Sequence, residues 1–220
     1  MLAIELSNNI VPRLTLNDSV SKALQLTADF KATHLPVVAD EKFLGLLSED
    51  DLLDAATKRM RIESFQNNFI QAFVLENEHF LKAVTICNQY QTNIVAVINS
   101  EKELVGTISA QDLLKMLGAF AGANEIGGII VLQMERNQFA ISEISRIVES
   151  NEATILHLNM TIQPETGLLT VTIHINRKEV ATVVAAFERY EYDVVYYFGE
   201  EKFENEIHSN YKHLMNYLDI

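Results

Sequence analysis

Apolar residues recur at helical spacing twice in the first half of the chain. Val20, Ala23, Leu24 and Thr27 fall at i, i+3, i+4 and i+7, and Phe80, Ala83, Val84 and Cys87 repeat the spacing, each the stripe of an amphipathic helix. Asn17 and Asn77 stand ahead of the stripes as candidate helix N-caps. The period then changes. Thr33–Val38 and Thr92–Val97, aligned Thr33 with Thr92, are short runs rich in β-branched residues that predict strands. A polar turn follows, ADEK in one copy and the longer NSEKE in the other, and leads into FLGLLS or LVGTIS, which closes a hairpin. Both closing strands run into Gly-x-x-Ser-x-x-Asp-Leu-Leu, with Gly45, Ser48 and Asp51 in one copy and Gly106, Ser109 and Asp112 in the other. Ser followed three residues later by Asp, ahead of an apolar run, is a capping box, so a second helix is expected to start at each Ser. Each copy is preceded by a short extended segment such as VPRLTL. A unit this small buries too little surface to stand alone, so the two are expected to share a core about a pseudo-twofold axis.

The second half follows a different pattern. After Gly118 the stretch AFAGANEIGG is small and Gly-rich, a linker, assigned to residues 121–128. Ile129–Met134 predicts a strand, and Ile141, Ile144, Ile147 and Val148 lie on one face of a helix over 139–150. Leu156, Leu158, Met160 and Ile162 alternate with polar residues, as do Leu169, Val171, Ile173 and Ile175 beyond the turn Gln163–Gly167. A helix over 177–190 and a strand DVVYYF complete βαββαβ, the ferredoxin-like arrangement. The last segment, 201–220, carries the stripe Phe203, Ile207, Tyr211, Leu214 and Leu218 and is expected to be an amphipathic helix packing on a sheet of the same or a second copy.

Composition narrows the function. At 48% hydrophobic and 21% charged the chain is of globular type, and no run of about 18 apolar residues could span a membrane. The start lacks a basic segment and a true apolar segment, so no secretory signal is expected. A net charge of −13 repels nucleic acid and anionic lipid. The single Cys87 cannot form an internal disulfide, and the cytoplasm is the expected location.

The repeat, with its two copies of Gly-x-x-Ser-x-x-Asp, resembles the tandem CBS (cystathionine-β-synthase-type) domain family over about residues 10–120. With repeats at about 10–58 and 69–120 inside a module of residues 1–120, and βαββαβ over 129–200, the chain is similar to the acetoin-utilisation CBS–ACT proteins. The implied fold class is α/β (α+β): a tandem CBS pair, a ferredoxin-like ACT-type domain and a C-terminal helix. The resemblance implies an adenine nucleotide as regulatory ligand, with no tightly bound cofactor. It places ribose hydroxyls on Asp51 and Asp112 and phosphate on Ser48 and Ser109. A carboxylate is acceptor-only and suits a diol that donates two hydrogen bonds, and a helix N-terminus with a small hydroxyl suits phosphate. Arg13 and His34 are expected to join Ser48, Asp51, Ser109 and Asp112 as ligand-binding residues, and the cluster Lys58, Arg59 and Arg61 is the other group of cations near the motifs. ACT domains that bind amino acids usually carry Gly between the first strand and first helix. This chain has Glu135-Arg136-Asn137-Gln138-Phe139 there, which favours a dimerising role.

No Gly-rich phosphate loop, metalloprotease His pair or Gly-x-Ser-x-Gly elbow occurs, and no catalytic residues are expected. No metal site is expected either. His208 and His213 are wrongly spaced on a helix, and a hairpin facing Ile162 with Leu169 sets His157 opposite His174, two nitrogens being too few for a tight site. Cys87 lies on its helix's apolar stripe as an inert thiol. The expected function is a non-enzymatic, homodimeric nucleotide sensor acting on another protein, with no nucleic-acid or membrane partner. The alternatives are an interaction homodimer in which the motifs are only caps, and an amino-acid sensor through the ACT-type domain.

Overall fold

The periods along the first half become two three-stranded sheets of the same order. The computed structural model describes residues 1–200, and the helix expected over 201–220 lies outside the described residues. The chain divides into two units, one of Met1–Leu117 and one beginning at Gly118. A short helix α1 (Ala3–Leu6) opens the first unit. Then come β1 (Leu14–Thr15), α2 (Val20–Phe30), β2 (His34–Ala39), β3 (Lys42–Ser48) and α3 (Glu49–Leu53). A 3-10 turn over Ile62–Asn68 leads to the second copy: β4 (Phe73–Leu75), α4 (Phe80–Tyr90), β5 (Ile94–Ile98), β6 (Leu104–Ser109) and α5 (Ala110–Phe120). In each sheet the first strand runs parallel to the second, which pairs antiparallel with the third.

Sequence and structure differ at two places in the repeat. Ser19 rather than Asn17 caps α2, accepting from the Lys22 N–H at 3.2 Å, and His79 rather than Asn77 caps α4. The Asp18 carboxylate accepts the Thr15 N–H at 2.8 Å, and Glu78 does the same for Leu75 at 2.9 Å. These turns use up the residues after each Asn and delay the helix. The strand alignment also shifts by one residue. His34 faces Ser48 whereas Ile94 faces Ser109, so Thr33 corresponds to Asn93, not Thr92. A slip of one residue normally swaps the two faces of a strand. Here both faces are buried, so alternation carries no register signal.

The shared core explains that burial. Ile94, Ala96 and Ile98 of β5 pack with Leu14, Val20, Leu35 and Leu46 of copy one, while Val95 and Val97 pack with Phe80, Ala83 and Ile108 of copy two. The segments ahead of each copy cross over. Ile62 and Phe65 sit in the core of copy one, and Ala3 of α1 sits in that of copy two.

The second unit contains β7 (Gly128–Met134), a 3-10 turn (Arg136–Gln138), α6 (Ile141–Ser150), β8 (Ile155–Ile162), β9 (Leu169–Ile175), α7 (Ala181–Arg189) and β10 (Asp193–Phe198). All its strand pairs are antiparallel, in the order β10-β7-β9-β8, the ferredoxin-like βαββαβ sheet. Ile144, Ile147 and Val148 of α6 and Val183, Val184 and Phe187 of α7 cover Ile130, Leu132, Val171 and Ile173. The helix α7 starts later than the sequence suggests, because Lys178 accepts the Glu200 N–H at 2.9 Å and is held beside the end of β10. Met160 and Ile162 face the core side opposite Val171 and Leu169, yet each stays 48% exposed, since β8 is an edge strand.

Candidate functional site

Each motif Ser ends a strand and begins a helix, so its side chain and the third helical residue meet. The Ser48 hydroxyl donates to Asp51 Oδ2 and accepts the Asp51 N–H at 3.0 Å. The Ser109 hydroxyl donates to Asp112 Oδ2 at 2.7 Å and accepts the Asp112 N–H at 3.0 Å. Both motifs therefore do cap their helices. The carboxylates remain half-buried at the helix starts.

The motif glycines have a separate task. The backbone of Asn8 exchanges two hydrogen bonds with Thr107 (3.0 and 2.8 Å), and that of Ile70 exchanges two with Leu46 (2.9 and 3.0 Å). The segment leading into each copy thus crosses the third strand of the other. A Cβ on Gly106 would lie 2.8 Å from the Asn8 carbonyl oxygen, and one on Gly45 would lie 2.7 Å from Phe69 Cβ. The crossing brings an amide onto each motif carboxylate: Asn68 Nδ2 donates to Asp51 Oδ1 at 2.5 Å, and Asn8 Nδ2 to Asp112 Oδ2 at 3.4 Å. Sequence reasoning passed over both Asn residues. The available signal was the Asn-Asn doublet ahead of each copy, Asn8-Asn9 and Asn67-Asn68.

The two copies differ in shape and charge around their motifs. Beside Gly106 lies a cleft of about 420 Å³ with Asn9, Val11, Pro12 and Arg13 on one wall and Leu104, Val105, Gly106 and Thr107 on the other. At the corresponding place in copy one, the Gln71 amide donates to the Leu44 carbonyl at 2.8 Å, and Phe69 and Gln71 close over Gly45. Charge separates the copies further. The first turn of α3 holds Glu49, Asp50 and Asp51, whereas that of α5 holds Asp112 alone. Three carboxylates around Ser48 oppose a phosphate there, and the site at Ser109 lacks that repulsion. Among the described residues no protein donor reaches Asp112 Oδ1, while both oxygens of Asp51 are engaged.

The predicted cations fall at different sites. Arg13 lines the cleft by copy two and pairs with Glu41 at 2.5 Å, both side chains being exposed. His34 belongs to copy one, opposite Ser48, with its Nδ1 2.9 Å from the Thr33 hydroxyl. Arg61 donates to Asn17 at 3.0 Å, away from either motif carboxylate. Burial holds the pKa of His34 below its ordinary 6.5, against the pull of the Asp51 and Asp50 carboxylates. As pH falls the unfolded chain therefore takes up this proton first, and stability drops from the ordinary histidine value down to the lowered one. Replacing His34 by Gln is expected to reduce the loss of melting temperature between about pH 7.5 and about pH 5.5 in scanning calorimetry.

The remaining candidates are weaker. His157 does stand opposite His174 across the β8–β9 hairpin. No group of three or more His, Cys, Asp or Glu among the described residues could hold a metal. Cys87 is half-buried, donates its thiol to the Thr92 carbonyl at 2.8 Å, and has its pKa raised by burial, which disfavours the reactive thiolate. Between β7 and α6 the backbone closes on itself, with Gln138 N–H on the Glu135 carbonyl at 3.0 Å and Glu135 N–H on Gln138 Oε1 at 2.9 Å. No helix among the described residues is long and apolar enough to cross a membrane.

Known proteins match this geometry in part. Residues 4–58 match the CBS domain family model. The chain is similar to a CBS domain pair/ACT domain protein of Thermotoga maritima, with 20% identity and a TM-score of 0.50, over 55% of this chain and 98% of that one. It is also similar to the cytosolic domain of the Mg2+ channel MgtE in complex with ATP, with 20% identity and a TM-score of 0.46, over 52% of this chain and 48% of that one. Among curated proteins, a homoserine O-acetyltransferase of Methanococcus vannielii is 26% identical over 104 residues, 44% of this chain. The chain spans only 21% of that relative's length. Residues 4–58 thus carry the CBS domain match, and the chain has the fold of a CBS pair followed by a ferredoxin-like, ACT-type domain.

Proposed function

We propose that this chain is a non-enzymatic regulatory protein that binds one adenine nucleotide beside copy two, with the ribose diol on Asp112. The observation that carries this reading is the half-buried Asp112 carboxylate, one oxygen of which meets no protein donor among the described residues, at the start of the helix that follows β6, the strand forming one wall of a cleft of about 420 Å³. The cleft walls offer Val11, Pro12, Leu104 and Val105 to a base and Arg13 to an anion, and Ser109, at the end of the same strand and the start of a helix, suits a phosphate. A net charge of −13 and the engagement of Arg13 by Glu41 favour AMP over ATP. Copy one is the poorer site, for its acidic first turn and its closed wall. The ACT-type domain serves in dimerisation or in passing on the signal, in the cytoplasm, and the regulated target is another chain.

Heating the protein with AMP, ADP, ATP, NAD and S-adenosylmethionine in turn tests the reading. A ligand at 100 times its dissociation constant adds about 2.7 kcal/mol, several degrees in the transition of the first unit. A shift with AMP supports the sensor. No shift with any of the five leaves the motifs as caps of an interaction protein.

Assembly is part of the same proposal. Leu53 on α3 and Leu114 on α5 occupy equivalent positions after the motif Asp and are 64% and 71% exposed. Two matched leucines on repeated helices suit burial against a second copy. Light scattering is expected to give about twice the 24.9 kDa chain mass, and Leu53→Asp with Leu114→Asp to return it to the mass of one chain. Wild type at 24.9 kDa at micromolar concentration would refute the dimer.

A further inference from the structure

Asn8 and Asn68 reach the motif carboxylates from different positions: Asn8 is itself paired with Thr107, whereas Asn68 stands two residues ahead of Ile70, which is paired with Leu46. Each lies in the segment that crosses from one copy to the other. Each sits just ahead of a residue packed on a motif glycine, or is that residue itself, and each gives its amide to the motif carboxylate of the copy it crosses. The backbone ladder with Thr107 anchors Asn8, whose own Oδ1 accepts the Ile10 N–H at 3.1 Å and so aims Nδ2 at Asp112. With the Ser hydroxyl, each carboxylate then receives two donors, one hydroxyl and one amide. A vicinal diol would also present two donors to the same group.

We propose that Asn8 and Asn68 are internal competitors of the ligand: each amide holds an oxygen of the carboxylate a ribose would use, so a diol must displace that amide to engage the carboxylate fully. This rests on the reading that the motif Asp residues bind a ribose. The two competitors differ in strength. Asn68 takes the second oxygen of Asp51, so both oxygens already meet a protein donor. Asn8 stays at 3.4 Å, shares Oδ2 with Ser109, and leaves Oδ1 to a ligand. Copy one is therefore plugged and copy two only hindered. A competitor that occupies the site lowers apparent affinity by the fraction of time the site is free.

Adenosine is the probe of choice, because it carries the diol without the phosphate that the acidic turn of α3 would repel. Calorimetry on the full chain is expected to give one adenosine site in wild type. Asn8→Ala should keep one site and raise its affinity about three- to tenfold, the effect of removing one weak charge-assisted hydrogen bond. Asn68→Ala should add a second site, and Asn68→Ser serves the same purpose should the alanine variant fold poorly. Asp51→Asn combined with Asn68→Ala should return the count to one. Wild-type affinity and stoichiometry in the Asn8 and Asn68 variants, with binding still abolished by Asp112→Asn, would overturn the competitor proposal and leave the ribose site standing. Absence of adenosine binding in wild type and all variants would overturn both.

Discussion

Asp112→Asn is expected to weaken AMP binding about ten- to several-hundredfold while the melting temperature without ligand changes little. The substitution keeps shape and removes charge. As a capping residue, Asp112 contributes a few tenths to about 1 kcal/mol, and the Ser109 hydroxyl still accepts the backbone N–H of residue 112. As a ribose acceptor, it makes charge-assisted bonds each worth roughly 1.5–3 kcal/mol, and an amide supplies only one accepting oxygen. Affinity and stability therefore separate. Asp51→Asn, at the crowded and more acidic site, is expected to change AMP affinity far less than Asp112→Asn. Equal effects of the two would contradict the assignment of the ligand to copy two.

A large loss of stability in the first unit is expected from Gly45→Ala. The backbone φ of 152° and the 2.7 Å approach to Phe69 Cβ leave no room for a methyl group, and the Ile70 carbonyl oxygen stands 3.0 Å away on the same side. The crossing segment would have to withdraw, breaking its pair of backbone bonds to Leu46. Overpacking and backbone strain together cost about 2–4 kcal/mol, roughly ten degrees in the melting of the first unit. Gly167→Ala is the control. Its φ is 73°, but nothing lies within 4 Å of the added carbon, so only about 1 kcal/mol of strain is expected, and in the other unit. A Gly45→Ala protein melting like wild type would show that the segment does not press on this glycine.

These two residues mark what the sequence makes legible. The capping role of Ser48 and Ser109 is written in local spacing, and the hairpins are written in short β-branched runs about polar turns. The register that sets His157 opposite His174 follows from alternation on a sheet with one covered face. Alternation fails for β2 and β5, which are buried on both faces, and there the alignment slipped by one residue. The caps at Ser19 and His79 were hidden by competing carboxylate turns at Asp18 and Glu78. The contacts of the site's glycines and asparagines are not legible for a different reason. Asn8 meets Asp112 across nearly the whole first unit, and no local period reports which segment crosses which strand. The inequality of the two copies was partly visible in SEDD against SAQD, but the open cleft and the filled one are tertiary facts.

Titration calorimetry of AMP into wild type and into the Asp51→Asn, Asp112→Asn double variant decides whether the motif carboxylates hold the nucleotide. Wild type is expected to bind saturably, near one AMP per chain, and a double variant that melts within a few degrees of it is expected to show no detectable binding. Wild type that releases no binding heat with AMP, or a double variant that binds it equally well, would leave Asp51 and Asp112 as helix caps alone.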